Sequence, residues 1–354
     1  MKVLVIAVSA RMLAQLAVAD GYDVVAIDQF GDVDLRAVAP GATAHSNDAL
    51  SEVAAHVEVD AVVYGAGFEN RPDLVRRLAA GRELLGTPPE LLPDVRDPWA
   101  EGAAARAAGA RAPETRVTGH GGGGAWLRKP RHGGGGRGIR PWKGGSVRPT
   151  EVLQRRIDGL SCSAVAIGDG RRAVMLGLTE QLHRSPGFQW MGNLTPPRLP
   201  EEQANELEGR LRAVCTEVAT RFGVRGAFGV DAIWDGRDAW VLEVNPRPPA
   251  SLELFGPGCF DAHARGARGI GLPGIPPART SAAVKLVVYA DRSVRAPDPD
   301  WWPSGLVRDI PRAGETIKCG EPVCTLVSAD VGVGDLADRA ARLLSALPGP
   351  VLVG

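Results

Sequence analysis

The sequence predicts an α/β protein with a doubly wound N-terminal domain, a glycine-rich middle unit and a C-terminal part rich in antiparallel strands. Three observations predict it. The chain opens with the spacing of a βαβ unit. A single lysine, Lys129, ends a short apolar strand four residues before Gly133, Gly134, Gly135, Gly136, Arg137 and Gly138. A β-hairpin follows, ending in Trp240-Val-Leu-Glu243-Val-Asn245-Pro-Arg247.

The N-terminal unit is expected over residues 1–93. Residues 3–8 read as a buried parallel strand, 11–20 as a helix stopped by Gly21, and 23–27 as the next strand. Residues 61–64 form another strand and 72–80 a helix, before Pro88, Pro89, Pro93 and Pro98 punctuate the end. Open α/β sheets bind ligands beyond the carboxyl ends of their strands. Ser9 and Arg11, where a strand passes into a helix N-terminus, are therefore candidates to hold a substrate carboxylate or phosphate. The alternative is that Ser9 only caps the helix. Glu69, in Gly67-Phe68-Glu69-Asn70, is a candidate for a substrate amine or a member of a solvated loop. Asp28, Asp32 and Asp34 invite a metal reading, but the expectation is a solvated acidic loop.

Residues 99–110 read as an alanine-rich helix and the glycine run 119–124 as a flexible loop. Lys129 is one of only five lysines among 41 basic residues, so its place beside a glycine loop is not surface filler. Glycines let backbone N–H groups approach phosphate oxygens without a Cβ clash. The loop is not a P-loop, because the lysine precedes the glycines and no Gly-Lys-Ser/Thr follows. Strands are expected at 152–157 and 161–167, separated by Asp158-Gly159. Gly192-Asn193-Leu-Thr195-Pro-Pro reads as a rigid loop. A long helix spans 201–222.

Segments 228–234 and 239–244 flank the turn Asp235-Gly236-Arg237-Asp238 and read as a hairpin. Asp231 and Glu243 then fall on neighbouring strands and one face, with Asn245 two residues on. Two carboxylates and an amide oxygen make a hard-oxygen site suited to Mg²⁺ bridging nucleotide phosphates. Arg247 could reach a transferring phosphoryl group.

Taken in order, Lys129, the glycine loop, Asp231/Glu243/Asn245 and Arg247 resemble the ATP-grasp superfamily. The glycine loop and metal hairpin are most similar to biotin carboxylase and the ATP-dependent carboligases related to it. The resemblance implies an α+β ATP-grasp fold: a pre-ATP-grasp domain at 1–93, a mobile lid at 94–153 that includes the 99–110 helix, a catalytic subdomain at 154–290, and a C-terminal sheet and helix at 291–354. It implies that Lys129, Gly133–Gly136 and Gly138 hold the ATP phosphates. Gln154, Arg155 and Ile157 would meet the adenine, largely through the backbone. For the 192–197 segment it implies the alternative to a rigid loop, that Asn193 meets substrate. The acidic residue that often serves the ribose near Ser161 is missing. It implies two Mg²⁺ ions, with Mn²⁺ able to substitute, bound by Asp231, Glu243 and Asn245, and catalytic roles for Lys129 and Arg247.

The implied activity is ADP-forming carboxylate–amine ligation through an acylphosphate. A biotin-carboxylase-like use of bicarbonate is the alternative. That reaction uses a glutamate base eight residues past the metal glutamate, where this chain has Ser251, although Glu253 is near. A non-catalytic nucleotide-binding module is a third reading, but a degenerate copy should have lost the lysine or a metal ligand, and none is lost.

Composition narrows the rest. Lys+Arg and Asp+Glu are both 41 in 354 residues, so no basic nucleic-acid surface is expected. No apolar run is long enough for a membrane span. The N-terminus mimics a signal peptide, but Arg11 interrupts its apolar run. Five cysteines (162, 215, 259, 319, 324) without a Cys-x-x-Cys pair argue against zinc and disulfides and for reduced thiols in a cytoplasmic protein, while small-molecule carboxylate and amine substrates are what the resemblance implies. A homodimer is left open. Of six histidines, only His132 sits in the glycine loop, and a surface position is expected for it.

Overall fold

A computed structural model describes residues 1–119, 125–274, 282–329 and 332–349. The N-terminal domain comprises β1 (Lys2–Ile6), α1 (Arg11–Ala19), β2 (Asp23–Asp28), the short α2 (Val33–Arg36), β3 (Gly41–Thr43), α3 (Asn47–Ala55), β4 (Ala61–Tyr64), α4 (Pro72–Leu78) and β5 (Glu83–Leu84). Its strands pair in parallel in the order β3-β2-β1-β4-β5. A parallel sheet is covered on both faces, so its strands are apolar throughout. Val3 and Val5 enter one core while Leu4 and Ile6 enter another.

After α5 (Leu92–Val95), α6 (Pro98–Ala107) starts with Pro98 in its first turn and with the Asp97 carboxylate accepting from the amides of Trp99 and Ala100. Four short strands follow: β6 (Thr115–Arg116), β7 (Trp126–Pro130), β8 (Arg140–Pro141) and β9 (Glu151–Arg155), in the antiparallel order β6-β9-β7-β8. This small sheet falls in the segment where the lid is expected. The alanine-rich helix α6 packs chiefly on β14 (Ala239–Asn245) of the large sheet and on α7 (Glu201–Phe222), and meets the end of β7 through Trp99 under Arg131. Ala104 and Ala105 sit in the core of the large sheet with Leu207 and Val214, where small side chains allow close approach. The glycine run expected as a flexible loop lies outside the described residues from position 120 on.

The large sheet contains β10 (Leu160–Asp169), β11 (Ala173–His183), β12 (Trp190–Thr195), β13 (Arg225–Trp234) and β14 (Ala239–Asn245), joined later by β15 (Ala283–Tyr289), β17 (Val307–Arg308) and β19 (Pro322–Ser328). Its order is β14-β13-β10-β11-β12-β15-β19-β17, antiparallel between neighbours. β16 (Val294–Arg295) and β18 (Thr316–Ile317) pair separately. The long helix α7 (Glu201–Phe222) buries Leu207, Leu211, Val214 and Val218 at helical spacing and ends at Gly223, whose φ is 67°. α8 (Cys259–Arg268) packs on β10 and β13, and α9 (Val333–Ala346) closes the far end. The loop reading of residues 192–195 gives way to strand β12, held between β11 and β15.

The acidic segment after β2 is not solvated. Asp28 is 0% exposed and accepts from the amides of Ala10 and Gly31. Asp34 accepts from the amides of Asp309 and Ile310. Asp32 is buried, and that burial, reinforced by Asp309, Asp28 and Asp34, pushes its carboxyl up to about 9. The sequence shows three acids after a strand; it does not show that a distant loop folds over them.

Candidate active site

The hairpin forms, and a bulge at Leu242 shifts its register next to Asp231. Asp231 pairs directly with Glu243, and Asn245 lies opposite Gly229, so the three candidate ligands share one face. Gln181 donates to Asp231 Oδ1 at 2.9 Å, and Asn245 Nδ2 donates to Oδ2 at 3.0 Å. With its nitrogen committed to Asp231, Asn245 turns its amide oxygen toward Arg247, 3.5 Å away. That leaves an oxygen, not an N–H, available to a cation. Burial raises the Asp231 carboxyl, and the negative charge of Glu243 raises it further. Burial opposes ionisation of Glu243 too, but Lys129 and then Arg96 outweigh it and hold Glu243 low. Among the described residues, no three His, Cys, Asp or Glu side chains converge as a metal cage. Two carboxylates and an amide oxygen instead suit Mg²⁺, which keeps waters and completes its shell with substrate phosphates.

Lys129 is carried to this hairpin by β7. Its Nζ lies 3.1 Å from Glu243 Oε2 and 3.5 Å from the Leu242 carbonyl. The glycine loop that follows has its carbonyls tied inward. Gly133 O accepts from Arg96, and Gly135 O accepts from the Trp190 amide at 2.9 Å. Among the described residues, nothing accepts from the amides of Gly133, Gly134, Gly135 and Gly136. A loop with bonded carbonyls and unbonded amides presents a row of N–H donors, as phosphate oxygens require. Gly136 has φ 70° and approaches Phe188 so closely that a Cβ would lie 1.7 Å from its carbonyl oxygen.

The loop and hairpin face each other across a cavity of 510 Å³. Gln154, Arg155 and Ile157 line it, as do Asn193, Arg247 and Ser251. The β9 backbone at Gln154 and Arg155 is engaged by β6 and β7. Asn193 is buried with both ends of its amide used: Nδ2 donates to Thr179, and Oδ1 accepts from Trp190. Arg247 Nε donates to Glu69 Oε1 at 2.9 Å, while Glu69 Oε2 accepts from the Gly67 amide. Glu69 is thus neither solvated nor turned to an amine; it is 3% exposed and holds the arginine.

Ser9 and Arg11 lie elsewhere. The Arg11 guanidinium is 1% exposed and bonds to Asp309 and Glu253. Asp28 occupies the Ala10 amide at the start of α1, and the Ser9 side chain does not cap the helix. An anion arriving there would find the cation and the first amide taken. Glu253 is turned away from the cleft toward Arg11 and Lys285. His132 is exposed, as expected.

Sequence reasoning misses three residues near the hairpin. Gln181 joins Ser161 to Asp231. Arg96 and Glu101 are both buried and meet the backbone of Val244, between Glu243 and Asn245. Burial pushes Glu101 up to about 7, against the pull of Arg96. A helix-start motif Arg96-Asp97-Pro98 carries no sign of such contacts. The alternation of polar Gln181 with apolar Leu182 on a strand beside β10 is the one available hint for Gln181.

Comparison with known proteins agrees with this geometry. Residues 102–251 match the ATP-grasp domain family. A formate-dependent phosphoribosylglycinamide formyltransferase of Burkholderia pseudomallei is 31% identical over 106 residues, which is 29% of this chain and 26% of that protein. The chain thus spans about a quarter of the length of the curated relatives it matches. Among solved structures, a biotin carboxylase of Campylobacter jejuni superposes with a TM-score of 0.71 at 15% identity, covering 97% of this chain and 91% of that one. An N5-carboxyaminoimidazole synthetase of Staphylococcus aureus, complexed with ADP, superposes with a TM-score of 0.68 at 17% identity over 97% of this chain and 96% of that one. The small four-stranded sheet, the glycine loop and the hairpin of Asp231 and Glu243 all lie within residues 102–251, the stretch that matches the ATP-grasp domain.

Proposed function

We propose that the chain is an ATP-dependent carboxylate–amine ligase that releases ADP and phosphate. The observation that carries this reading is the facing of two walls across one cleft. Lys129 and unbonded glycine amides stand on one side, and Asp231, Glu243 and Asn245 on the other. One wall suits a triphosphate, the other the cation that accompanies it. The formyltransferase relative is by its name formate-dependent, which supports a carboxylic acid as one substrate.

Mg²⁺, as two ions for which Mn²⁺ can substitute, would be held by Asp231, Glu243 and Asn245 and would neutralise charge between the β- and γ-phosphates. Lys129 and the loop amides position the triphosphate, and backbone at Gln154, Arg155 and Ile157 borders the base. Arg247, aimed by Glu69, faces the group being transferred. A carboxylate oxygen of the substrate attacks the γ-phosphorus, the bond to the β–γ bridging oxygen breaks, and ADP leaves. The amine then attacks the acylphosphate carbonyl. A C–N bond forms, the C–O bond to phosphate breaks, and the amine proton passes to phosphate or water. Positioning and charge stabilisation supply the catalysis, so no Ser/His/Asp constellation is required.

Use of bicarbonate is the second reading, favoured by the likeness to biotin carboxylase. Ser251, which lines the cleft, stands where the resemblance places that enzyme's base, and Glu253 is bound to Arg11 and Lys285. The deciding experiment measures ADP release against a panel of carboxylic acids, amines and bicarbonate. Transfer of ¹⁸O from a substrate carboxylate into phosphate identifies the ligase, and loss of that turnover in Glu243→Gln ties it to this cleft. Labelled bicarbonate in the product selects the carboxylase, and formation of AMP overturns both.

A further inference from the structure

β14 is the edge strand of the large sheet, so its outer backbone groups have no strand partner. At the start of the strand this edge is covered by Arg111, which bridges to Trp240. At the end it is covered by two buried charges. Glu101 Oε1 accepts from the Val244 amide at 2.8 Å, and Arg96 donates to the Val244 carbonyl at 2.7 Å. Val244 separates Glu243 from Asn245, so these two bonds set the pitch of the strand that presents both candidate metal ligands.

Arg96 has two further donors in use, and each goes to a different part of the cleft. One reaches Gly133 O, the first carbonyl of the glycine loop, at 3.3 Å. Its Nε reaches Asn70 Oδ1 at 3.1 Å, one residue after the Glu69 that holds Arg247. The guanidinium is 4% exposed, its fork is planar and rigid, and its partners sit on three separate chain segments. An arginine kept only to balance Glu101 would not need those partners; the Arg96–Glu101 separation is 3.8 Å, longer than any of the three hydrogen bonds.

The geometry points to Arg96 as a positioning residue that couples docking of the phosphate-binding loop to the shape of the metal strand. Arg96 is not among the residues that line the cleft. When the loop closes, Gly133 O draws the guanidinium into one orientation. In that orientation it holds Val244, and therefore Glu243 and Asn245, in place for the cation. The inference rests on the nucleotide reading of the cleft.

The test is a calorimetric titration of the full chain with ATP, once with Mg²⁺ and once in EDTA. The quantity read is the ratio of the two dissociation constants. The wild-type chain should bind more tightly with Mg²⁺. Arg96→Lys keeps the charge but cannot span three acceptors, so it should lower the Mg²⁺ enhancement at least tenfold. Faster amide exchange should appear at Gly133–Gly138 and at Glu243–Asn245 together. An unchanged enhancement in a folded Arg96→Lys chain overturns the coupling, while normal wild-type binding keeps the nucleotide reading intact. If Arg96→Lys does not fold, Asn70→Ala, which removes one acceptor, should reduce the enhancement about threefold, and no reduction there overturns the coupling as well. A wild-type chain that binds no Mg·ATP overturns both.

Discussion

Lys129 Nζ lies 3.1 Å from Glu243 Oε2, so the lysine offered to a phosphate and the carboxylate offered to a metal neutralise each other. The pair is partly buried, and each member is the other's compensating charge; on the proposed function Mg·ATP would take both. On that proposal, nucleotide binding should replace one ion pair by two charge-assisted contacts.

Lys129→Ala should weaken Mg·ATP binding by about 1.5–3 kcal/mol, the range for hydrogen bonds to charged groups. The mutation also removes the cation that keeps Glu243 ionised, so the loss should grow as pH falls. Calorimetry at two pH values checks both parts, and unchanged affinity would remove Lys129 from the site.

Gly136→Ala should weaken nucleotide binding by tenfold or more, with the melting temperature nearly unchanged. Its Cβ would collide with the Phe188 carbonyl at 1.7 Å, in backbone that cannot yield without lifting the loop. Gly134, where a Cβ meets nothing within 4 Å, is the internal control, and Gly134→Ala should have the smaller effect. Equal effects in the two variants would argue against a docked loop.

Mg·ATP affinity should fall on acidification at a higher pH than an ordinary aspartate would dictate. Asp231 must be ionised to bind a cation, while burial and Glu243 raise its titration. Protons then compete with the metal well above the usual aspartate value of about 3.9. Affinity that stays flat from neutral pH down to about 4.5 would count against Asp231 as a ligand.

His263 gives a stability prediction outside the site. Its Nδ1 accepts from the Ala227 amide at 2.8 Å and its Nε2 faces the Leu85 carbonyl at 3.1 Å, which fixes the neutral tautomer. Burial pushes its titration down to about 4, with the Leu85 contact opposing. The unfolded chain takes up the proton first, so this contribution is present above about pH 6.5 and is lost as pH falls toward 4. A shift of that size corresponds to about 3 kcal/mol. Urea midpoints measured across that window should slope less in His263→Gln than in the wild type.

Local chemistry made the hairpin and its ligands readable. Asp235-Gly236 sets the turn and pairs Trp234 with Ala239, and an extra residue at Leu242, which the sequence does not announce, then shifts the register so that Asp231 meets Glu243. β11 was harder to see. Val165 pairs with Gly177 and Ala166 with Met175, so Leu176 is an extra residue that breaks the period-two pattern. Arg96 and Asp32 were out of reach for another reason. Neither side chain has its partners nearby in sequence: Arg96 bonds to Val244, and Asp32 is buried beside Asp309. Composition reported charge; only the fold reports what faces it.

The contact between Arg11 and Asp309 joins positions 298 residues apart. Closing a loop of that length costs about 5 kcal/mol of chain entropy before any reward is gained. During synthesis, α1 emerges long before the loop that carries Asp309. Until Glu253 and then that loop arrive, the arginine has only Gln15 and Asp34 of its own domain to meet. The cluster is therefore a late event in folding, and it makes the completion of the first domain wait on the last third of the chain.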